Sequence, residues 1–201
     1  EQHLRRWFKK YELRPRKSTP LHGVYLPVWT FDLSGDLPWK GVVRRGDDWV
    51  PRSGIGHIMR DDHLVPASGR KPAKTVAKSL HDFDLDKLVA YDARYLADWP
   101  AERYQLSMAD ASLAARRDIL KGLRRNPAKI TGGEDVRKLT FNTANLTILS
   151  FKLILLPLFL LQYTHDDKSY EVAMNGQNGR VRATRPQNLI GKLFSWITGD
   201  D

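Results

Sequence analysis

Apolar positions along this chain repeat at two different periods, and the switches between them mark out its elements. At the start, Leu4, Trp7, Phe8 and Tyr11 recur at helical spacing among Arg5, Arg6, Lys9 and Lys10. That spacing predicts a short basic amphipathic helix ending before Pro15, because proline disfavours helix in the residue ahead of it. From 22 to 32 the period becomes two, with Tyr25, Trp29 and Phe31 on one face and Val24, Leu26 and Val28 on the other. Both faces are apolar, which predicts a strand covered on two sides. Pro27 has no amide to donate, so the strand lies at an edge or is bulged there. Ser34-Gly35-Asp36 predicts a turn, with Trp39 to Arg45 returning as a second strand.

The middle of the chain is less regular. Residues 46–60 are rich in Gly, Asp, Arg and Pro and read as a loop. Residues 71–97 read as two helices, Lys74 to Leu80 and a second opening at Asp84 before Leu85, Leu88 and Val89. Met108 to Arg125 is the clearest helix, with Met108, Ala111, Ala115, Ile119 and Leu123 as its stripe and Asn126-Pro127 as its stop. Strand patterning returns from Val136. A nearly continuous apolar run follows from Ser150 to Tyr163, but Lys152 and Pro157 interrupt it. The uninterrupted stretches fall far short of the roughly twenty residues a membrane helix needs, so a buried strand is expected. His165-Asp166-Asp167-Lys168 turns the chain, Tyr170 to Met174 returns, and Asn175-Gly176 and Asn178-Gly179 make tight turns before Val181.

Together these elements predict an α+β fold. Its antiparallel sheet is built from N-terminal (about 22–45) and C-terminal (about 136–184) strands, with helices from the middle of the chain packed on it. Residues 1–19 form a basic N-terminal arm, 20–186 a single domain, and 187–201 an apolar segment leading toward a membrane anchor.

Composition narrows the chemistry. With 201 residues and 41 % apolar, the chain has ample material for a packed core. It has no cysteine, which excludes disulfides, thiolate nucleophiles and cysteine-ligated zinc within these residues. It begins at Glu1, as expected of a truncated or processed piece. The net charge is +10, concentrated in residues 1–20 and 101–140. Such patches favour polyanions: nucleic acid, an anionic membrane leaflet or an acidic protein face. The candidate contacts are Arg5, Arg6, Lys9, Lys10, Arg116, Arg117, Lys121, Arg124 and Arg125, with Trp7, Phe8 and Tyr11 as aromatic contacts. A plainer reading lays the aromatics on the core, and bases near a helix C-terminus suit its dipole without any ligand.

Catalytic patterns are weak. Arg52-Ser53-Gly54-Ile55-Gly56-His57 resembles a phosphate loop only faintly, since no Lys-Ser/Thr pair follows. His57, Asp61, Asp62 and His63 lack the spacing of a metal site. Ser53/His57/Asp61 and Asp82/Asp84/Asp86 are polar groupings with no partner that singles them out, and the second suits a helix start. No enzyme, small-molecule substrate or cofactor is expected from these residues.

Several phrases resemble a known family. They are Tyr25-Leu26-Pro27-Val28-Trp29-Thr30-Phe31-Asp32, Leu64-Val65-Pro66-Ala67-Ser68, Leu96-Ala97-Asp98-Trp99-Pro100-Ala101-Glu102-Arg103-Tyr104, and Leu155-Leu156-Pro157 leading to Tyr170 and Asn175-Gly176-Gln177-Asn178-Gly179-Arg180-Val181. In that order they resemble bacterial proteins with an N-terminal TFIIB-type zinc ribbon, often labelled primosomal protein N′-like. The resemblance covers roughly residues 20–186. It implies a zinc ribbon ahead of this region and a hydrophobic segment after it. It also implies an accessory scaffold or adaptor role at the cytoplasmic face of the inner membrane, with SPFH- or phage-shock-type protein partners. The helicase-like label finds no support, because neither a Walker loop nor a helicase acidic motif is present. A nucleic-acid-binding accessory module is the alternative reading.

Overall fold

A computed structural model describes residues 1–11, 13, 17–69, 72–97 and 99–184. In chain order the elements are α1 (Gln2–Lys10), β1 (Lys17–Ser18), β2 (His22–Arg45), β3 (Asp48–Pro66), α2 (Lys74–Leu80), α3 (Met108–Arg125), α4 (Ala128–Thr131), β4 (Val136–Phe141), β5 (Thr147–His165), β6 (Lys168–Asn175) and β7 (Val181–Ala183). The strands form one sheet in the order β3-β2-β5-β6-β7, with β1 also paired to β5 and β4 to β2. The pairs β1–β5, β2–β3, β2–β4, β5–β6 and β6–β7 are antiparallel.

The expected fold class needs correction. Strand accounts for 46 % and helix for 26 % of the described residues, and the sheet is built from antiparallel pairs. The helices are few and small, so this is a sheet protein and not a sheet roofed by a helical middle. Three local misreadings explain the difference. The turn expected at Ser34-Gly35-Asp36 is continuous strand inside β2, where these residues pair with Met59, Ile58 and His57. The segment expected to be a loop at 46–60 is strand: β2 turns at Gly46-Asp47 and β3 pairs back along it from Arg45↔Asp48 to Val28↔Pro66. The segment expected to be a helix from Asp84 makes only two 3₁₀ turns, Leu85–Lys87 and Ala93–Leu96. There Asp84 accepts from the Asp86 amide and Asp92 from the Arg94 amide. Each aspartate closes a local turn in place of a helix, which is how such side chains compete with helical backbone.

The chain divides into two compact units. One comprises residues 1–27, 70–103 and 155–201, the other 28–69 and 104–154. The long strands β2 and β5 each contribute to both. The expected terminal segment 187–201 lies outside the described residues.

In the first unit, α1 lays Leu4 on a core with Leu161, Tyr163, Val172 and Met174. The β5–β6 hairpin turns at Asp166-Asp167, both at positive φ, the conformation that matches the twist of a two-residue hairpin. After β6, Asn175 is wholly buried, and its side-chain oxygen accepts from the amides of Gln177 (2.7 Å) and Asn178 (3.2 Å).

In the second unit, α3 packs Ala111, Ala115, Ile119 and Leu123 against Phe31, Leu33, Leu37, Trp39 and Val43 of β2. Its start is capped by Ser107, which accepts from the Asp110 amide at 3.2 Å. Gly54 and Gly56 of β3 are packing glycines. A Cβ on Gly54 would meet the Trp39 indole at 3.0 Å, and one on Gly56 would collide with Ile130. This close approach is why the run reads as glycine-rich, and the faint likeness to a phosphate loop is therefore misleading.

Candidate polyanion-binding surfaces

Helix α1 separates its two kinds of side chain cleanly. Leu4 is buried, Trp7, Phe8 and Tyr11 are half-buried, and Arg5, Arg6, Lys9 and Lys10 are exposed. Trp7 and Phe8 meet edge to face at 5.2 Å, Phe8 meets Tyr163 at 5.4 Å, and Trp7 lies 5.2 Å from Tyr11. The three aromatics are thus occupied by one another and by the core. The four bases occupy the opposite face: Arg5 reaches Glu1 at 3.5 Å, and Lys10 sits 5.6 Å over the Tyr11 ring. Arg6 and Lys9 have no ion pair or hydrogen bond among the described residues. Tyr163 beneath them is pushed up to about 12, by burial first and then by Tyr170.

The bases of α3 divide differently. Arg116 turns toward the body and donates to the Leu146 carbonyl at 2.5 Å. Arg124 lies 5.4 Å over the Phe141 ring. Arg117, Lys121 and Arg125 are exposed and carry no ion pair or hydrogen bond among the described residues. Sequence spacing groups all five together, but only these three face water without a structural task.

The remaining candidates do not converge. Ser53, His57 and Asp61 lie along β3, four residues apart, so neighbours are separated by about 13 Å along the strand. His57 instead pairs across the ladder with Asp36 at 2.8 Å, in the open. Asp82 is sequestered: Arg182 grips it through two nitrogens at 2.5 Å and Arg180 adds a third contact at 2.8 Å. The Arg182 guanidinium, with Arg180 behind it, holds the Asp82 carboxyl below the usual range despite burial. Asp84 caps its turn and pairs with Lys87 at 2.8 Å. Asp32 is also held low, first by the Asp62 amide at 2.8 Å and then by Ser150.

Among the described residues no group of three or more His, Asp or Glu is placed to hold a metal ion. A groove of about 580 Å³ runs beside Trp39, Lys40, Ser53, Ile55, Thr140 and Phe141, and among the described residues no carboxylate lines it. A second of about 310 Å³ contains the Arg52–Glu134 pair at 3.2 Å. No helix among the described residues is long and apolar enough to cross a membrane.

Sequence reasoning passed over one surface. Leu88, Val89, Tyr91 and Tyr95 are exposed on the irregular segment after α2, Val89 to 72 %. Reading that segment as an amphipathic helix hid them, because it turned its apolar residues inward on paper.

No protein-family model matches this chain, and no solved structure matches it. It is similar to a curated protein of Bacillus subtilis (strain 168) described as "Uncharacterized protein YdjG", with 26 % identity over 219 aligned residues. The alignment takes in 99 % of this chain and 63 % of YdjG, so the chain spans under two-thirds of that relative's length.

Proposed function

We propose that this chain is a non-catalytic adaptor that attaches to an anionic membrane surface and presents a protein-binding face. The location that fits is the cytoplasmic side of a bacterial inner membrane. The observation that carries the reading is the segregation of α1, where four bases face water above an aromatic face already consumed by the core. Bases near an anionic leaflet contribute about 1 kcal/mol each. The zinc-ribbon resemblance supports the same role, as do the SPFH- and phage-shock-type partners it implies.

A nucleic-acid module is less well supported. Single-strand binding relies on exposed rings on which bases stack. Trp7, Phe8 and Tyr11 are turned to the core, and the exposed Tyr91 and Tyr95 share their segment with Asp82, Asp84, Asp86 and Asp92. That acidic, apolar stretch suits a protein partner better than a polyanion.

Flotation with phosphatidylserine-containing and neutral liposomes tests the proposal. The chain is expected to float only with the anionic vesicles. The combined variant Arg5→Glu, Arg6→Glu, Lys9→Glu and Lys10→Glu is expected to stay in the soluble fraction with its melting temperature little changed. Equal recovery with neutral vesicles, or undiminished flotation of the variant, would overturn the reading.

A further inference from the structure

The N-terminal half of β5 is an unfinished edge. At Tyr163 and Thr164 the strand is paired on both sides, to β1 and to β6. The β6 ladder ends at Leu158↔Asn175. On its other side β5 has β2 as its sheet neighbour, where Ser150 donates to Asp32, and among the described residues no strand but β2 pairs with Thr147 to Ile154. Along this stretch Leu149, Phe151 and Leu153 are 59 %, 50 % and 39 % exposed. They alternate with Ser150 and Lys152, so the three apolar side chains share one face of the strand. Phe151 lies 6.3 Å from Trp29 and 6.5 Å from Phe31, which extends an aromatic layer to the rim.

An open apolar edge of this kind invites a further strand. Its sequence selects the partner. In an antiparallel pairing of two β5 strands about an axis at Phe151, Phe151 faces itself, Leu149 faces Leu153, and Ser150 faces Lys152. The apolar row then continues unbroken from one copy to the other. On the opposite face each Lys152 arrives beside a Ser150 whose hydroxyl donates to Asp32 at 2.5 Å, so the cation meets a carboxylate. Moving the axis one residue toward the C-terminus would set Lys152 against Lys152, a like-charge pair that destabilises a ladder. We propose that β5 is a self-association edge through which two copies of this chain join their sheets, in antiparallel register centred on Phe151. Lys152 discourages indiscriminate strand addition, and in this register it keeps its own Asp32 and gains the partner's.

The absence of native cysteine makes the register directly readable. Facing residues across an antiparallel ladder stand about 4.5–5.5 Å apart at Cα, within disulfide reach, whereas residues offset by four do not. In light scattering the chain is expected at twice 23.1 kDa. Under mild oxidation Phe151→Cys is expected to give a covalent dimer. Leu149→Cys and Leu153→Cys are each expected to give none alone but to cross-link when mixed. Lys152→Glu, which turns a carboxylate toward the partner's Asp32 as well as its own, is expected to weaken association about tenfold or more. A mass of 23.1 kDa for the native chain would overturn the proposal. So would cross-linking indifferent to cysteine position, or a Lys152→Glu dimer as tight as the native one.

Discussion

Asp82 shows most directly what one side chain does in this protein. Its side chain is 4 % exposed, its carboxylate joins the segment after α2 to Arg180 and Arg182 beyond β6, and the Arg182 contact is the main reason its pKa is lowered. A carboxyl held lower in the folded than in the unfolded chain stabilises the fold above its unfolded value, near 3.9, and that contribution is lost as pH falls through the folded value. Asp82→Asn is therefore expected to cost about 1–3 kcal/mol at pH 7, since it leaves two guanidinium groups with a poorer partner. The deficit relative to the native chain should shrink as the pH is taken below 4. Urea titrations at pH 7 and at acid pH check this; a pH-independent difference would mean that packing, not charge, is what Asp82 supplies. Tyr163 has the opposite sign. Its pKa is raised to about 12, so its contribution is complete below the unfolded value near 10 and is lost as pH rises through the folded one. Tyr163→Phe should flatten the alkaline limb of the stability curve and leave the neutral region nearly level.

Glycines separate the roles of two elements. Gly56 sits in β3 where α4 crosses, and a methyl group there would strike Ile130. Gly122 lies in α3 with no atom within 4 Å of where its Cβ would be. Gly56→Ala is expected to destabilise by about 1–3 kcal/mol through overpacking. Gly122→Ala should stabilise by about 1 kcal/mol, because alanine loses less backbone freedom in a helix. Thermal melts of the two variants shifting in the same direction would contradict the assignment. The same contrast explains what the sequence made legible. Helices α1 and α3 and the β5–β6 hairpin were readable because local periodicity, caps and turn residues agree with the final packing. Strand β3 was not, because its glycines and arginines answer to Trp39, Ile130 and Glu134, residues distant in sequence. The irregular segment from Leu85 to Leu96 was misread for a related reason: two aspartate turns outcompeted an apolar spacing that had nothing to pack on. Among the binding candidates the bases of α1 were legible from spacing. The division within α3, with Arg116 and Arg124 bound to the body and Arg117, Lys121 and Arg125 free of such contacts, depends on Leu146 and Phe141 and could not be read from spacing.

For the whole molecule, the excess charge of +10 matters through where it stands rather than through its sum. The exposed bases of α1 and α3 are solvated, so ions screen them efficiently, whereas the Asp82 side chain is 4 % exposed and in direct contact with Arg180 and Arg182, so salt weakens that clamp less. Binding to an anionic surface and stability of the fold should therefore separate when ionic strength is raised. Between physiological salt and about 1 M the screening length falls from about 8 to 3 Å. Across that range the chain is expected to leave phosphatidylserine vesicles while its melting temperature changes little. Reversing Arg117, Lys121 and Arg125 to Glu tests the second patch without touching Arg116, whose loss would unseat the Leu146 carbonyl. If α3 takes part, this variant should detach at lower salt than the native chain. Flotation that survives 1 M salt would point instead to insertion of apolar residues, with Val89 and Tyr91 the first to substitute, because hydrophobic contact does not weaken as the ions are added.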